Sequence, residues 1–302
     1  MFKKPKKVMK NIELVTEYIK KNTNEKTLEI VKNKNNKKLV KIDKDYWRCY
    51  KCIDCGNTYE HLDNKETFYE VGKTIGRFQK NLSNFPLNKL NQTIKDFHDT
   101  KKRYDKLIIL LNKPNIRIND CQKEILFVKE RENLVDIINK AIDMKLVPIR
   151  VTHNDTKLNN VMIDENGKGV CLIDLDTVMP GSLLFDYGDA IRTGATKALE
   201  DERDLRKVKI DKELFLYFSL GFLSEVKDIL TSEEKKLLVT SAKVITLECG
   251  IRFLTDYLEN DIYFKVDYET HNLIRARNQF KLVREIEKNE IILEKMIENA
   301  IF

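Results

Sequence analysis

The sequence contains no apolar run that approaches the roughly 18 to 20 residues of a membrane-spanning helix. Its first residues are basic but lack the apolar segment of a secretory signal, so we predict neither a secreted protein nor a membrane partner. Only ten glycines and five prolines occur among the 302 residues, and no long stretch rich in glycine, proline and serine marks a linker. Internal repeats are absent as well. The length therefore predicts one large domain or two modest ones, with a substantial core.

The positive charge of the chain is spread along its length. The 55 lysines and arginines outnumber the 48 aspartates and glutamates, for a formal net charge of +7, and the lysines alternate with acidic residues and asparagines. A nucleic-acid-binding face would be denser and more one-sided, so we predict a solvated surface and no nucleic-acid partner. Hydrophobic residues make up 42% and charged residues 34%, which excludes disorder as the main interpretation.

Six cysteines without a secretion signal indicate reduced thiols and predict a cytoplasmic location. Two-residue gaps separate Cys49, Cys52 and Cys55, which allows a metal or iron–sulfur interpretation. A closed site needs a fourth ligand, and the other three cysteines each stand alone in the sequence. Because the flanking residues YWRCYKCIDC are strand-like, we favour small hydrophobic side chains in and just after a strand.

The spacing of apolar residues predicts a small β-rich lobe followed by a mainly helical one. A helix is predicted over 6–22, followed by strands at 28–31, 38–42 and 46–53, with a hairpin turn at the asparagines between the first two strands. Further helices are predicted at 64–82, 99–111, 120–143, 211–229, 232–257 and 270–299. Thr231 and Glu234 fit a capping box that opens the helix at 232. The fold class is therefore α+β.

A compact β region interrupts the helices and has polar residues at its ends. Its strands are predicted at 148–153, 160–164 and 169–174. Asp155 and Asn160 lie in the loop that leaves the first of these strands, and Asp174 and Asp176 end the hairpin that follows. Because a hairpin brings its two ends together, we expect these carboxylates to converge. Three carboxylates repel each other unless a cation lies between them, and hard oxygen ligands select Mg²⁺.

The spacing His-x-Asp-x-x-x-x-Asn with a downstream Asp is typical of phosphoryl-transfer sites. In that layout Asp155 is the base that orients the attacking hydroxyl, while Asn160 and Asp174 bind the Mg²⁺ that bridges the triphosphate. Lys157, two residues after the base, is placed to neutralise the transferring phosphoryl group. The alternative is a polar turn in which Asp and Asn are turn formers, but it explains only one or two of these residues.

At this point the sequence resembles the aminoglycoside phosphotransferase and choline kinase superfamily, and within it most closely the bacterial N-acetylhexosamine 1-kinases. The similar segments follow the family's order over nearly the whole chain. They are WR (47–48), GRFQ (76–79), FHDTKKR (97–103), VTHNDTKLNNVMID (151–164), IDLDTVMPG (173–181), DYGDAIRT (186–193) and GIRFLTDYLENDIYFKV (250–266).

The resemblance implies a protein-kinase-like fold, with a small truncated N-terminal lobe at 1–58 and a catalytic and substrate-binding lobe at 59–302. It implies that ATP and Mg²⁺ are used to phosphorylate the anomeric hydroxyl of N-acetylglucosamine or N-acetylgalactosamine to the 1-phosphate. By position, Asp155 resembles the catalytic base, and Asn160 and Asp174 resemble the residues that hold the metal and nucleotide. The residues that resemble sugar contacts are Asp176, Arg252 and Tyr263.

Several residues in the similar segments also have a purely structural interpretation. Arg252 is otherwise a surface arginine on a long helix, and Tyr263 a half-buried core aromatic. For the DYGD segment we favour structural roles, in which Asp186 hydrogen-bonds the catalytic loop and Asp189 caps the short helix that follows. His153 is expected to stabilise the same loop, by analogy with kinase catalytic loops.

The phosphate loop of such kinases has no counterpart ahead of the first helix, because the first glycine is Gly56. The resemblance therefore implies that the first strands of the small lobe are missing and that Glu13 or Glu17 is the helix glutamate without its basic partner. Gly72-Lys73-Thr74 is no substitute, since a P-loop needs another glycine five residues before Gly72 and position 67 is threonine.

The missing strands leave three explanations: a late start or broken gene, pairing with a separate polypeptide, or a pseudokinase. The function alternatives are a kinase for another small hydroxyl acceptor, such as an aminoglycoside, choline or homoserine, and an inactive sugar-binding remnant. An aminoglycoside would call for an acidic pocket, which Arg252 disfavours. The sequence contains no indication of the oligomeric state.

Overall fold

The computed structural model describes residues 4–53 and 56–301. Its first element is helix α1 (Pro5–Asn22), in which proline occupies the first turn and the apolar stripe that includes Val8, Ile12 and Ile19 is buried. Four short strands follow: β1 (Ile30–Val31), β2 (Val40–Ile42), β3 (Asp45–Trp47) and β4 (Cys49–Tyr50).

The pairing of these strands differs from the prediction. The asparagine-rich segment does turn, with the Asn33 N–H donating to the Lys37 carbonyl (2.9 Å) and Asn36 at φ 60°. The strands on either side of it do not pair, however, since β1 pairs antiparallel with β4 and β2 with β3. The predicted strand at 46–53 is divided for the same reason, because the chain leaves one ladder and joins another at Arg48.

The remainder is mainly helical, as predicted. The helices predicted at 64–82, 99–111 and 232–257 match the structure to within about one residue at each end. The long helices are α2 (Lys65–Asn81), α3 (Thr100–Leu111), α7 (Lys212–Val226), α8 (Ser232–Leu258) and α9 (His271–Ile301). The predicted capping box is confirmed, because the Thr231 hydroxyl accepts from the Glu234 N–H and the Glu234 carboxylate accepts from the Thr231 N–H. Among the described helices, none is long and apolar enough to cross a membrane.

The single helix predicted at 120–143 is wrong. The structure has α4 (Gln122–Lys129) and α5 (Ile137–Asp143), with a 3-10 turn between them. Arg131 accounts for the break, because its guanidinium donates to the Phe127 carbonyl in the last turn of α4 (3.0 Å) and pairs with Glu287 of α9 (2.8 Å). A contact with a distant part of the chain therefore overrides local helical spacing.

The compact β region consists of β5 (Arg150–Thr152), β6 (Val161–Ile163), β7 (Gly169–Leu172) and β8 (Met179–Gly181). The β6–β7 hairpin is present as predicted, whereas the pairing of β5 with β8 was not foreseen. Helix α6 (Leu183–Gly194) follows β8 directly, and the Ser182 hydroxyl accepts from the Leu184 N–H at its start.

Two glycines permit a close approach of α2 and α7, the helices beneath this region. A Cβ on Gly72 would lie 2.2 Å from the Phe218 carbonyl oxygen, and one on Gly221 would lie 2.0 Å from the Tyr69 carbonyl oxygen. Gly72 therefore serves helix packing, in agreement with its exclusion as part of a P-loop. One apolar core joins these helices to α1, α6 and the strands β5 to β7, and the loops at the strand ends are fixed on that core.

Candidate active site

The predicted base and its two neighbours lie together in the loop after β5. The Asn160 side-chain amide donates to the Asp155 carboxylate (Oδ2, 3.1 Å) and to the Asp155 carbonyl (2.8 Å). The Lys157 ammonium lies 3.3 Å from the same Oδ2 atom. The loop thus holds a carboxylate between an amide and a cation.

The surroundings of Asp155 change its acidity. Burial raises the pKa of the carboxyl, and the negative charge of Asp189 raises it further. The positive Lys157 and the His153 ring oppose this, but the net pKa lies above the ordinary value. A raised pKa makes a carboxylate a better proton acceptor near neutral pH.

Asp186 organises the backbone of this loop, as predicted. Its buried carboxylate accepts from the backbone N–H groups of His153 (2.9 Å) and Asn154 (2.7 Å) and from the Gln79 amide (2.5 Å). The His153 ring is bonded to the Ile173 carbonyl (2.8 Å), which ties the loop to the β6–β7 hairpin. Both structural predictions for this loop are therefore confirmed.

The predicted role of Asp189 as a helix cap is wrong. Helix α6 begins earlier than expected, so Asp189 lies inside it and pairs with Arg192 one turn later (2.9 Å). Its charge then acts on Asp155 from within the helix.

The β6–β7 hairpin brings the backbone at Asp174 close to the backbone of Asn160. The Ile173 N–H donates to the Asn160 carbonyl (2.9 Å), and Asp174 follows in the left-handed region at φ 54°. Asp176 lies one step further, in the 3-10 turn Leu175–Thr177. The backbone therefore brings the two predicted metal ligands to neighbouring positions.

The expected cluster of three carboxylates around one cation is not formed. Within residues 4–53 and 56–301, no three His, Cys, Asp or Glu side chains lie close enough together to hold a metal ion. The Arg48 guanidinium pairs with Asp176 (2.5 Å), so the positive charge beside this carboxylate comes from an arginine. Cys49 and Cys52 are exposed rather than packed, and Cys55 lies outside the described residues.

Arg48 is a residue to which the sequence prediction assigned no role. Its guanidinium also lies over the Tyr50 ring, 5.2 Å from the centroid, and so joins β3 and β4 to the 3-10 turn of Asp176. Burial raises the pKa of Asp176 and the charge of Arg48 opposes that rise. Burial also raises the pKa of Tyr50 to about 12. The only sequence signal was the WR pair, which has no chemical pattern of its own.

The helix glutamates of α1 do have a basic partner, contrary to the expectation. The Lys38 ammonium lies 2.5 Å from Glu13 and 2.7 Å from Glu17. Burial raises the pKa of Glu13, but Lys38 outweighs this and the net shift is downward. The prediction failed because it looked for a lysine before the helix, whereas Lys38 comes after it in the chain.

Arg252 and Tyr263 line a separate cleft of about 460 Å³ at the end of α8. The Arg252 guanidinium lies 6.0 Å from the centroid of the Tyr263 ring, which is 72% exposed and so is no core aromatic. Asp256 shapes the loop by accepting from the backbone N–H groups of Tyr263 (2.8 Å) and Phe264 (2.9 Å). Neither Asp155 nor Asp176 is part of the walls of this cleft.

His98 connects the Arg252 cleft to the loop that follows β5. Its ring bonds the Asn154 carbonyl (3.2 Å) on one side and Glu248 of α8 (3.1 Å) on the other, while the adjacent Phe97 lines the cleft. Burial lowers the pKa of His98, but Glu248 raises it to a net value above the ordinary one. The sequence marked this histidine only as part of the FHDTKKR segment.

Comparisons with known proteins place the chain in a family and show which structures share its fold. A family model described as "Phosphotransferase enzyme family" matches residues 43–215, more than half of the chain. An aminoglycoside phosphotransferase from Alicyclobacillus acidocaldarius subsp. acidocaldarius DSM 446 is similar in structure, with 12% identity, TM-score 0.66 and coverage of 98% of this chain and 84% of that chain.

Two further structures share the fold at similar identity. A microcompartment-associated aminopropanol kinase has 12% identity, TM-score 0.62 and coverage of 94% of this chain and 82% of that one. A spectinomycin phosphotransferase in complex with ADP and spectinomycin has 14% identity, TM-score 0.58 and coverage of 95% and 83%. The predicted kinase-like α+β fold is thus confirmed, and the chain belongs to the phosphotransferase enzyme family.

Proposed function

We propose that the protein phosphorylates the anomeric hydroxyl of an N-acetylhexosamine with ATP and Mg²⁺. The observation that carries this proposal is the arrangement of Asp155 between Lys157 and Asn160, on a loop fixed by Asp186. Placement and charge neutralisation supply most of the catalysis in phosphoryl transfer, and this loop offers both.

In the proposed reaction the anomeric oxygen forms a bond to the γ-phosphorus, and the bond from that phosphorus to ADP breaks. The hydroxyl proton passes to the Asp155 carboxylate, whose raised pKa suits that role. Lys157 neutralises negative charge on the phosphoryl group beside Asp155.

The residues present fit a magnesium ion without a third carboxylate. The side-chain nitrogen of Asn160 donates to Asp155, which leaves the side-chain oxygen of Asn160 for a metal. Asp174 adds a carboxylate, because the residue before it is hydrogen-bonded to the Asn160 backbone. Mg²⁺ is commonly held by one or two protein oxygens together with substrate phosphates and water. Bound there, it would neutralise the phosphate charge of the nucleotide.

The charge of the Arg252 cleft favours an acetamido sugar over a cationic acceptor. Four basic side chains and two acidic ones belong to its walls: Lys95, Arg103, Lys106, Arg252, Asp256 and Glu259. A net positive wall repels aminoglycosides and choline, whereas an arginine donates well to an acetamido carbonyl. Tyr263 offers an exposed ring on which an apolar sugar face can pack.

The proposal also includes roles for Asp176 and for the two lobes, and a location for the reaction. Asp176, paired with Arg48, would accept hydrogen bonds from sugar hydroxyls. A small lobe at 1–58 would hold nucleotide, a larger lobe at 59–302 would hold the acceptor, and the reaction would take place in the cytoplasm.

An acceptor panel tests the proposal. The purified protein is incubated with ATP and Mg²⁺, and ADP formation is measured with N-acetylglucosamine, N-acetylgalactosamine, kanamycin, choline or homoserine. We expect turnover with the two acetamido sugars. Turnover with only another acceptor would replace the sugar assignment, and calorimetry showing sugar binding without ATP binding would indicate the inactive remnant.

A further inference from the structure

A cleft of about 790 Å³ between α1 and the chain that runs through β2 and β3 is walled by lysines. We call it the lysine cleft. A single acidic residue, Glu13, belongs to its walls, together with six lysines: Lys6, Lys10, Lys32, Lys37, Lys38 and Lys41.

Most of this positive charge is uncompensated. Lys38 is paired with Glu13 and Glu17, and Lys10 lies 3.6 Å from Glu13. The other four lysines, Lys6, Lys32, Lys37 and Lys41, have no acidic partner in the part of the chain that the structure describes. Like charges gathered around one cavity raise its potential and attract anions.

The start of α1 adds to the positive potential of the cleft. This helix of 18 residues has no acidic residue in its first turn, and its N-cap residue, Lys4, makes no side-chain capping bond. Lys6 therefore stands in the first turn, at the positive end of the helix dipole, where a basic side chain is unfavourable. A bound anion would relieve this arrangement by neutralising the positive charge gathered there.

The lysine cleft lies beside the candidate active site. The Asn11 amide, on α1, donates to the Val178 carbonyl (2.9 Å), just beyond Asp176. On the opposite wall, Tyr46 is followed two residues later by Arg48, which pairs with Asp176. Both walls of the cleft are thus anchored to the segment that follows Asp174.

The shape and lining of the cleft suit a nucleotide. Met9, Leu39, Val40 and Tyr46 add apolar surface that can contact a base. Its volume is within the roughly 300 to 1,000 Å³ of small-molecule sites. A nucleic-acid backbone would need a charged surface that extends beyond one concave pocket.

We propose that the lysine cleft binds the phosphate chain of a nucleoside triphosphate, with Lys37 and Lys41 as contacts and Lys38 held in the wall by Glu13 and Glu17. The cleft would then hold phosphates from a part of the chain without a glycine-containing loop. This inference rests on the proposed function for its nucleotide, but it concerns binding alone and needs no phosphoryl transfer.

Equilibrium binding of a fluorescent ATP analogue, measured without any acceptor, tests this inference. In the variant Lys37→Gln/Lys41→Gln both exposed charges are removed and no described ion pair is lost. The matched control is Lys227→Gln/Lys295→Gln, two exposed lysines on α7 or its end and on α9 that do not line the cleft. We expect about tenfold weaker binding in the first variant, with a smaller salt dependence, and unchanged binding in the control.

Competition with unlabelled ATP, tripolyphosphate and a short single-stranded oligonucleotide separates the possible ligands. Tighter competition by ATP than by tripolyphosphate supports a nucleotide, and the reverse would assign the cleft to inorganic polyphosphate instead. Unchanged affinity in Lys37→Gln/Lys41→Gln, no ATP binding by the unaltered protein, or preference for the oligonucleotide would overturn the inference. ATP binding through the cleft without sugar turnover would overturn the proposed function alone.

Discussion

Arg48 and Asp176 form a pair in which one charge sets the acidity of the other. Burial raises the pKa of Asp176, and Arg48 limits that rise. In the proposed site Asp176 must be ionised to accept hydrogen bonds from the sugar.

Replacing Arg48 by glutamine should therefore move the acid limb of the pH profile to higher pH. Without the guanidinium, the pKa of Asp176 rises further, and a smaller fraction is ionised at any acidic pH. The measurement is kcat/KM for the sugar between pH 5 and pH 8, with Arg206→Gln, an exposed arginine on a loop, as the control. An acid limb at the same pH in both variants would contradict the pairing.

His98 and Glu248 predict a pH window for stability. The folded-state pKa of Glu248 is lowered from 4.5, so its contribution is present above pH 4.5 and lost as pH falls through the lowered value. The folded-state pKa of His98 is raised from 6.5, so its contribution is present below pH 6.5 and lost as pH rises through the raised value. Both contributions are complete between these limits.

His98→Gln should remove this pH dependence from the free energy of unfolding. Urea denaturation from pH 4 to pH 9 measures it, and we expect the largest difference from the unaltered protein between pH 4.5 and pH 6.5. The matched control is His61→Gln, which removes a histidine that pairs with Asp63 at the surface. An equal loss of stability at every pH would mean that His98 acts through packing alone.

At the scale of elements, the contact between α2 and α7 supports the strands and the loop around Asp155. Gly221→Ala tests this contact, since the new Cβ would lie 2.0 Å from the Tyr69 carbonyl oxygen. Alanine favours an isolated helix by about 1 kcal/mol over glycine, yet overpacking costs about 1 to 3 kcal/mol, so we expect lower stability. Thermal unfolding measures it, and a gain in stability, as at an open helical site, would show that the helices do not meet there.

Local patterns predicted the elements whose stabilising contacts are close in sequence. The helices at 6–22 and 64–82, the β6–β7 hairpin and the capping box at Thr231 all depend on neighbours within a few residues. The break between α4 and α5 depends on Glu287, and the pairing of β1 with β4 crosses an inserted hairpin. The spacing of apolar residues along the chain carries no information about such long-range contacts.

The candidate site shows the same difference between contacts that are local in sequence and contacts that are distant. Asp155 and Asn160 are five residues apart, and the motif that contains them predicted that they belong to one site. The ion pairs of Arg48 with Asp176 and of Lys38 with Glu13 join segments that have no shared motif. The expectation of a three-carboxylate cation site was wrong, and the positive charge beside Asp176 comes from a distant arginine.

At the scale of the whole molecule, two basic clefts are linked to the region of Asp155, one through the pair of Arg48 with Asp176 and the other through the bond of His98 to the Asn154 carbonyl. The lysine cleft lies along α1, and the Arg252 cleft lies at the end of α8. In our account the first holds the phosphates of the nucleotide and the second holds the acetamido group of the sugar. Asp155 is the residue at which the two substrates would react.

The rate of sugar 1-phosphate formation, followed by ³¹P NMR, tests this account most directly. Three proteins are compared with ATP, Mg²⁺ and N-acetylglucosamine: the unaltered chain, Asp155→Asn, and Glu165→Gln, an exposed glutamate in the β6–β7 turn. Loss of a general base typically costs about 10² to 10⁴ in rate, so we predict product from the unaltered chain and from Glu165→Gln, with Asp155→Asn slower by at least about a hundredfold. Full-rate product formation by Asp155→Asn would contradict the account.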